Sequence, residues 1–356
     1  MLNKILAVAL VGFAASASGM KAAGEADLLA SPPTQEELAT VPLDAKILGE
    51  PPPGGLRNWS LPTNTGLKGS YVSIVNRTDP VRVELWKNTW DGEKSATHQV
   101  VFRKGKSLEA LEAEEFLAFD GSLIDDVFDV SDPTKLSPNR GATRVSVTFD
   151  PEVGYIVLCC VCPDYLPGTV TLIPAIFTSK SGEPGSFRYL GKLKGECADL
   201  AAQKKIWSDG GTLVRLPGGG WRIYLNGFGP KLAAMECATL TGPWKFLRDG
   251  TGSIRELLPS IPVGCVFPDV LRDAGGQWHL LFSDKWPPQS IWHMVSSDGV
   301  GWEEPGPQPE ITREHFRGHG IKCMRGYLDL SSGKLCGLLS VYPFWTLHKF
   351  EYGGTR

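Results

Sequence analysis

The sequence predicts an all-β fold, a five-bladed β-propeller with four antiparallel strands per blade, on three observations. Gly and Pro are abundant, 41 and 27 of 356 residues, against a usual combined share of roughly 12%, so turns are frequent. Aromatic residues make up 10% and charged residues only 21%, which excludes collagen, coiled coil and a disordered tail. The third observation is an internal repeat of strand, Gly turn, aromatic and strand.

Taken in order along the chain, residues 1–17 carry Lys4, an apolar run from Ile5 to Ala15 and small residues up to Ala17. This is the pattern of a cleaved signal peptide, so a secreted or periplasmic location is expected. The run is too short to span a bilayer, and no later stretch is long and apolar enough, so no membrane association is expected. Residues 18–60, with Pro51-Pro-Pro-Gly-Gly55, read as a linker or lead-in. Residues 61–356 form the folded domain, and Ser107 to Ala118 reads as one short helix inserted in it.

Two segments of that domain align without gaps. Val214-Arg-Leu-Pro-Gly-Gly-Gly-Trp221-Arg-Ile-Tyr-Leu matches Leu271-Arg-Asp-Ala-Gly-Gly-Gln-Trp278-His-Leu-Leu-Phe, a β-hairpin written twice. Downstream, Ala238 to Trp244 matches Ser296 to Trp302. The spacing is 57 residues between Trp221 and Trp278 and 58 between Trp244 and Trp302, room for about four short strands. Fainter copies centre on Tyr155 and Leu335, and a degenerate N-terminal unit spans Val81-Arg-Val-Glu-Leu-Trp86 and His98 to Arg103. Five such units fill the domain, and units of this kind are propeller blades that bury their strand faces between neighbours. Trp221, Trp244, Trp278 and Trp302 are therefore expected in the packing between blades.

The formal charge of −3 argues against a nucleic-acid surface, which needs Lys and Arg to neutralise phosphates. The eight cysteines could form disulfides in an exported chain. Cys159-Cys160-x-Cys162, in an apolar run, reads instead as buried thiols on a strand. No Cys or His spacing suits zinc, and Gly218-Gly-Gly220 lacks the following helix or Lys-Ser/Thr of a phosphate loop.

Phe267-Pro-Asp-Val-Leu-Arg-Asp-Ala-Gly-Gly-Gln-Trp-His-Leu-Leu-Phe-Ser283, followed by Ser296 to Glu303, resembles a blade of the five-bladed β-propeller glycoside hydrolases, the arabinanase/xylosidase-like and invertase-like families. Leu172 to Leu193 is similar to the outer half of another blade. The resemblance covers about 140–350, and more weakly 70–140. It implies a secreted enzyme that cleaves glycosidic bonds of a polysaccharide or oligosaccharide in an axial funnel, by carboxylate acid/base catalysis. The alternative is a carbohydrate-binding or structural propeller that has lost the catalytic carboxylates. The partner is a carbohydrate, and a monomer is expected. Ser296-x-Asp298-Gly-x-x-Trp302 resembles the Asp-box turn of sialidases, a structural device.

The resemblance directs attention to carboxylates at the first strand of each blade. Asp269, entering such a strand, is the first catalytic candidate. Asp91, in Asn88-Thr-Trp90-Asp91-Gly-Glu93, is the candidate base, with Trp90 beside it for substrate. Glu196-Cys197 and Glu236-Cys237 both echo the Glu-Cys pair of invertase-like enzymes. Glu236 aligns with a third strand, so Glu196 is the preferred acid. Arg325 would clamp a carboxylate-bearing sugar, or pair with a neighbouring Asp. His319, by its place in the last blade, would help hold an axial structural ion such as calcium, no cofactor being otherwise required. His279 and His293 are read as structural.

Overall fold

The computed structural model describes residues 56, 58–89, 99–125, 141–162, 173–197, 210–227, 231–261, 263–285, 288–303, 310–316, 318–342 and 345–353. Residues 1–17 lie outside these, as do all but Leu56, Asn58, Trp59 and Ser60 of 18–60. The first strand, β1 (Thr63–Lys68), is set aside for the end of the chain. Blade one is β2 (Val72–Thr78), β3 (Val81–Thr89), β4 (Gln99–Gly105) and β5 (Phe116–Phe119). Blade two is β6 (Gly141–Asp150), β7 (Gly154–Cys162), β8 (Ile173–Ser179) and β9 (Arg188–Lys192). Blade three is β10 (Gly211–Arg215), β11 (Trp221–Leu225), β12 (Ala233–Cys237) and β13 (Lys245–Phe246). Blade four is β14 (Val266–Arg272), β15 (Trp278–Ser283), β16 (Ser290–Ser296) and β17 (Ile311–Thr312). Blade five takes β18 (Gly320–Leu328), β19 (Leu335–Tyr342) and β20 (Thr346–Glu351) from the end of the chain, and β1 completes it by pairing with β20.

The first strands touch in a closed ring, β2 to β6 to β10 to β14 to β18 and back to β2, which defines the axis. Strand alternation sends successive side chains to opposite faces, and each face meets a different neighbour. In β11, Trp221, Ile223 and Leu225 pack with Ile156, Leu158 and Ile176 of blade two, while Tyr224 packs with Val270, Trp278 and Leu280 of blade four. Five apolar clusters fill the five joints, the last uniting Tyr327, Leu338 and Leu347 of blade five with Val72 and Leu85 of blade one. Trp221, Trp244 and Trp278 are buried as expected, and Trp302 is half-buried against the same core as Tyr224.

The hairpin turns follow the predicted chemistry. Asp298 Oδ1 accepts from Val300 N at 2.7 Å, Gly301 N at 2.8 Å and Ser296 Oγ at 2.9 Å, so its carboxylate serves its own turn. The helix expected over Ser107 to Ala118 does not form. Leu108 is buried, Gly105 bridges Leu111, and Phe116–Phe119 supplies the outer strand that β4 needs. Helix propensity is a weak prior, and the unpaired edge of β4 overrides it. Seven cysteines, Cys159, Cys160, Cys197, Cys237, Cys265, Cys323 and Cys336, are free thiols. Burial pushes Cys197 up to about 12 and Cys336 up to about 11, which leaves them protonated and inert at neutral pH.

Candidate functional site at the propeller axis

Adjacent first strands are joined by at least one polar side chain at each of the five joints. Ser73 Oγ of β2 accepts from Val147 N of β6 at 2.9 Å. Thr148 of β6 donates to Leu213 O of β10 at 2.7 Å. Thr212 Oγ1 of β10 lies 3.0 Å from Pro268 O of β14 and accepts from Val270 N at 3.2 Å. Asp269 Oδ2 of β14 accepts from Gly326 N of β18 at 2.6 Å. Cys323 of β18 donates its thiol hydrogen to Ser70 O, just ahead of β2, at 3.2 Å.

The joint held by Asp269 carries the charge. Its Oδ1 accepts from Arg325 Nη1 at 3.0 Å and lies 3.0 Å from Thr212 Oγ1. Arg325 Nη1 also donates to Pro268 O at 3.1 Å. The residue is 6% exposed in Asp269 and 1% in Arg325, so the pair is sealed among three blades. Arg325 Nε and Nη2 are buried and have no hydrogen-bond partner among the described residues. No second carboxylate shares a hydrogen bond with Asp269, Thr212 or Arg325 among those residues.

A mouth of aromatic and basic side chains stands at the N-terminal ends of the first strands. Register shifts interrupt β6, β14 and β18 there. Within them Arg144 and Phe267 take left-handed φ of 57° and 54°, a conformation that costs a non-glycine residue about 1–3 kcal/mol. Bulges of this kind re-aim side chains next to functional sites. Here Phe267 packs edge-on against Tyr71, with centroids 5.4 Å apart. Lys322 Nζ lies 4.3 Å from the centre of the Tyr71 ring and 4.5 Å from that of Trp345. The Arg144 guanidinium stands 5.3 Å from Tyr71. Tyr71, Arg144, Lys322 and Trp345 are half-buried, so the mouth offers aromatic faces and cationic heads together. None of these residues carries a periodic signal, because each lies in a bulge or beside a strand end.

The sequence-predicted residues fall in different places. Asp269 and Arg325, chosen separately, meet. Trp90 and Asp91 lie outside the described residues, between Thr89 of β3 and Gln99 of β4. Glu196 stands against the outermost strand of blade three: its Oε2 accepts from Phe246 N at 3.1 Å and pairs with Arg248 Nη2 at 2.9 Å. Gly195 bridges Trp244 beside that strand, so the carboxylate of Glu196 is turned to the rim and away from the Asp269 joint. Glu236 lies on the third strand of its blade, paired with Arg222 at 2.6 Å. His319 immediately precedes β18, half-buried, its N–H donated to Phe316 O at 3.0 Å. Among the described residues no three His, Cys, Asp or Glu side chains are grouped to hold a metal ion.

No protein-family model matches the sequence, and no curated protein resembles it in sequence. Solved structures match in fold. An exo-β-1,3-galactanase from Phanerochaete chrysosporium, solved with β-1,3-galactotriose, aligns with a TM-score of 0.52 at 10% identity, covering 83% of this chain and 64% of that one. An exo-β-1,3-galactanase from Clostridium thermocellum aligns with a TM-score of 0.51 at 11% identity, covering 80% of this chain and 58% of the other. A thermostable family-43 glycoside hydrolase aligns at 0.50 with 12% identity, covering 81% and 89%. The chain thus spans less than two thirds of the length of the two galactanases. Its five four-stranded blades are the fold of the family-43 glycoside hydrolases.

Proposed function

We propose that the chain is an exported glycoside hydrolase that takes a carbohydrate at the axial mouth and cleaves a glycosidic bond there. The observation that carries this reading is the fixed Asp269 carboxylate at the ring of first strands, next to a half-buried aromatic mouth whose backbone is strained at Arg144 and Phe267. Aromatic faces suit the C–H faces of sugar rings, and the cationic heads suit hydroxyl or carboxylate oxygens. Glycosidic cleavage passes through an oxocarbenium-like state, so positive charge develops on the sugar. A carboxylate held by Arg325, Thr212 and Gly326 cannot swing as a base without breaking those bonds. Its role in this reading is to orient and stabilise, as preorganised charge. A proton donor and a water-activating base complete the reaction, and Asp91 is proposed as the base.

One observation favours a second reading, a carbohydrate-binding propeller without catalysis. Both oxygens of Asp269 are engaged by protein donors, in the same inter-strand role that Ser73, Thr148 and Cys323 play at other joints. The test is release of reducing ends from β-1,3-galactan, arabinan, xylan and a polyuronate by the wild type and by Asp91→Asn. Hydrolysis abolished in Asp91→Asn supports the enzyme. Binding of a polysaccharide with no bond cleaved on prolonged incubation establishes the second reading. Export is tested by sequencing the N-terminus of the mature chain, expected at Ser18.

A further inference from the structure

The formal charge of the whole chain is −3, yet the axial mouth gathers positive side chains. Among the described residues the five first strands open on Tyr71, Arg144, Gly210, Phe267 and Lys322, two cations and no carboxylate. The carboxylates nearby are already engaged. Asp269, deeper in β14, is matched by Arg325 at 3.0 Å. Asp284 follows β15 on the same side of the blade, 7% exposed, and its Oδ1 accepts from Gln289 N at 2.9 Å and Ser290 N at 3.2 Å, which ties it to its own turn.

The two cations are placed. Lys322 Nζ lies over the rings of Tyr71 and Trp345, at 4.3 and 4.5 Å, and the Arg144 guanidinium stands over the same Tyr71 ring at 5.3 Å. Ring faces attract cations. Two of them hold the flexible Lys322 stem in place ahead of any ligand, which lowers the ordering cost of binding. Arg144 is aimed by its left-handed φ of 57° and lies against Gly210 at the start of β10, where a Cβ would stand 3.3 Å from its own. Arg144, Phe267 and Trp345 are the three non-glycine residues with positive φ among the described residues, and all three line the mouth. Backbone strain gathered in this way clusters at functional sites. Burial raises the Cys323 thiol, next but one to Arg325 in β18, against the pull of Arg325 and then Lys322, so the positive field reaches the axis.

Like charges held over one ring repel, and an anion between them removes that cost. Lysine presents a compact point charge, and arginine a planar fork that matches paired anionic oxygens. We infer, resting on the axial reading proposed above, that the mouth selects a saccharide bearing an anionic substituent, a uronate carboxylate or a sulfate ester. The substituent sits between Lys322 and Arg144 while a sugar ring lies against Trp345. This narrows the ligand from carbohydrate to acidic carbohydrate, and it makes Arg144 and Lys322 the residues that set the choice.

The experiment compares matched charged and neutral saccharides on the full chain by ligand-observed NMR. Trigalacturonate is set against its methyl-esterified twin, and galactose-6-sulfate against galactose, with inorganic sulfate alone as a further ligand. In at least one pair the charged member is expected to bind about tenfold or more tightly, and which pair it is tells carboxylate from sulfate. The preference should shrink as NaCl is raised to about 0.2 M. Lys322→Gln and Arg144→Gln should each bring the ratio toward one, while Lys322→Arg, which keeps a charge over both rings, retains it; melting temperatures check that each variant is folded. Neutral twins binding as tightly as the charged members in both pairs overturn the inference, and where Trp345→Ala abolishes that binding the axial reading stands without it. A charge preference that survives both Gln variants overturns it as well. So does inorganic sulfate binding as tightly as the better charged sugar, which would make this an ion site only. If no saccharide binds, the axial reading falls and this inference falls with it.

Discussion

Asp269 reaches Arg325 across the joint between the fourth and fifth blades, Oδ1 to Nη1 at 3.0 Å, with side chains only 9% and 2% exposed. A charge pair so placed is held by both partners, because removing either leaves the other buried alone. Asp269→Asn is therefore expected to destabilise the fold by about 3–5 kcal/mol, whatever it does to activity. Replacing both, as Asp269→Leu with Arg325→Met, should cost less than the single change. Urea unfolding of the two variants checks this, and an Asn variant as stable as the wild type would refute it. Activity of Asp269→Asn should be read well below its own melting temperature.

Glu84 is the corresponding anchor between the first two blades. Fully buried, it accepts from Trp86 Nε1 at 2.9 Å and Tyr155 Oη at 2.7 Å, and pairs with Arg82 Nε at 2.5 Å. Glu84→Ala strips three donors of their acceptor inside the packing around Trp86 and Phe102. A loss of about 2–5 kcal/mol is expected from unsatisfied buried groups. A change under 1 kcal/mol in the denaturation midpoint, converted at constant m, would mean that water enters and replaces it.

The joint between blades four and five should make the protein acid-sensitive. His279 Nδ1 lies 3.0 Å from His293 Nε2, and His279 Nε2 lies 3.3 Å from Asp273 Oδ2; Trp59 and Tyr352 pack edge-on against His293, with Glu310 acting on Tyr352. Burial, and then the neighbouring His279, push His293 down to about 3, and burial lowers His279 too. Unfolded chains take up these protons from about pH 6.5 downward, while the native state does not. Stability is therefore whole above about pH 6.5 and is lost as pH falls toward 3, with an upper bound of roughly 5 kcal/mol from His293. Urea midpoints at pH 7.5, 6 and 5 should fall in that order, and His293→Gln should flatten the slope.

Closure of the ring rests on the start of the described chain. β1 pairs with β20, Trp59 bridges Tyr352, and Trp59 is 4% exposed. Trp59→Ala should cost about 3–5 kcal/mol, the range for emptying an aromatic core site. Deleting the chain through Lys68 removes the same ring and also bares the edge of β20, so it should melt lower still and aggregate. Calorimetry of the two variants gives the order, and equal melting temperatures would show that β1 adds nothing beyond Trp59.

Much of the fold was legible because its units are local. Trp221 and Trp278 head the second strands of consecutive blades, and the glycines before them turn each hairpin, as the repeat implied. The inserted helix was misread because the run from Ser107 to Ala118 has good helix formers, and nothing in it announces the edge of β4. The site was less legible. Asp269 and Arg325 stood out singly, yet Tyr71, Lys322 and Trp345 sit in bulges and strand ends that no period marks. Glu196 drew notice through its Glu-Cys pair, and its neighbours Phe246 and Arg248 only become apparent when the outer strand is placed.

The amino-acid sequence by itself determined the strand alternation, the turn chemistry and the number of blades, since each depends on residues a few positions apart. Tertiary structure alone decided that Asp269 faces Arg325, that Tyr71 lies under Lys322, and that a cavity opens where blade five meets blade one. Those neighbours stand from 56 to more than 250 residues apart in the chain. They meet only when hydrophobic burial between five twisted sheets closes the ring. That closure is set by the summed packing of every blade, and no local pattern records which side chains it brings to the axis.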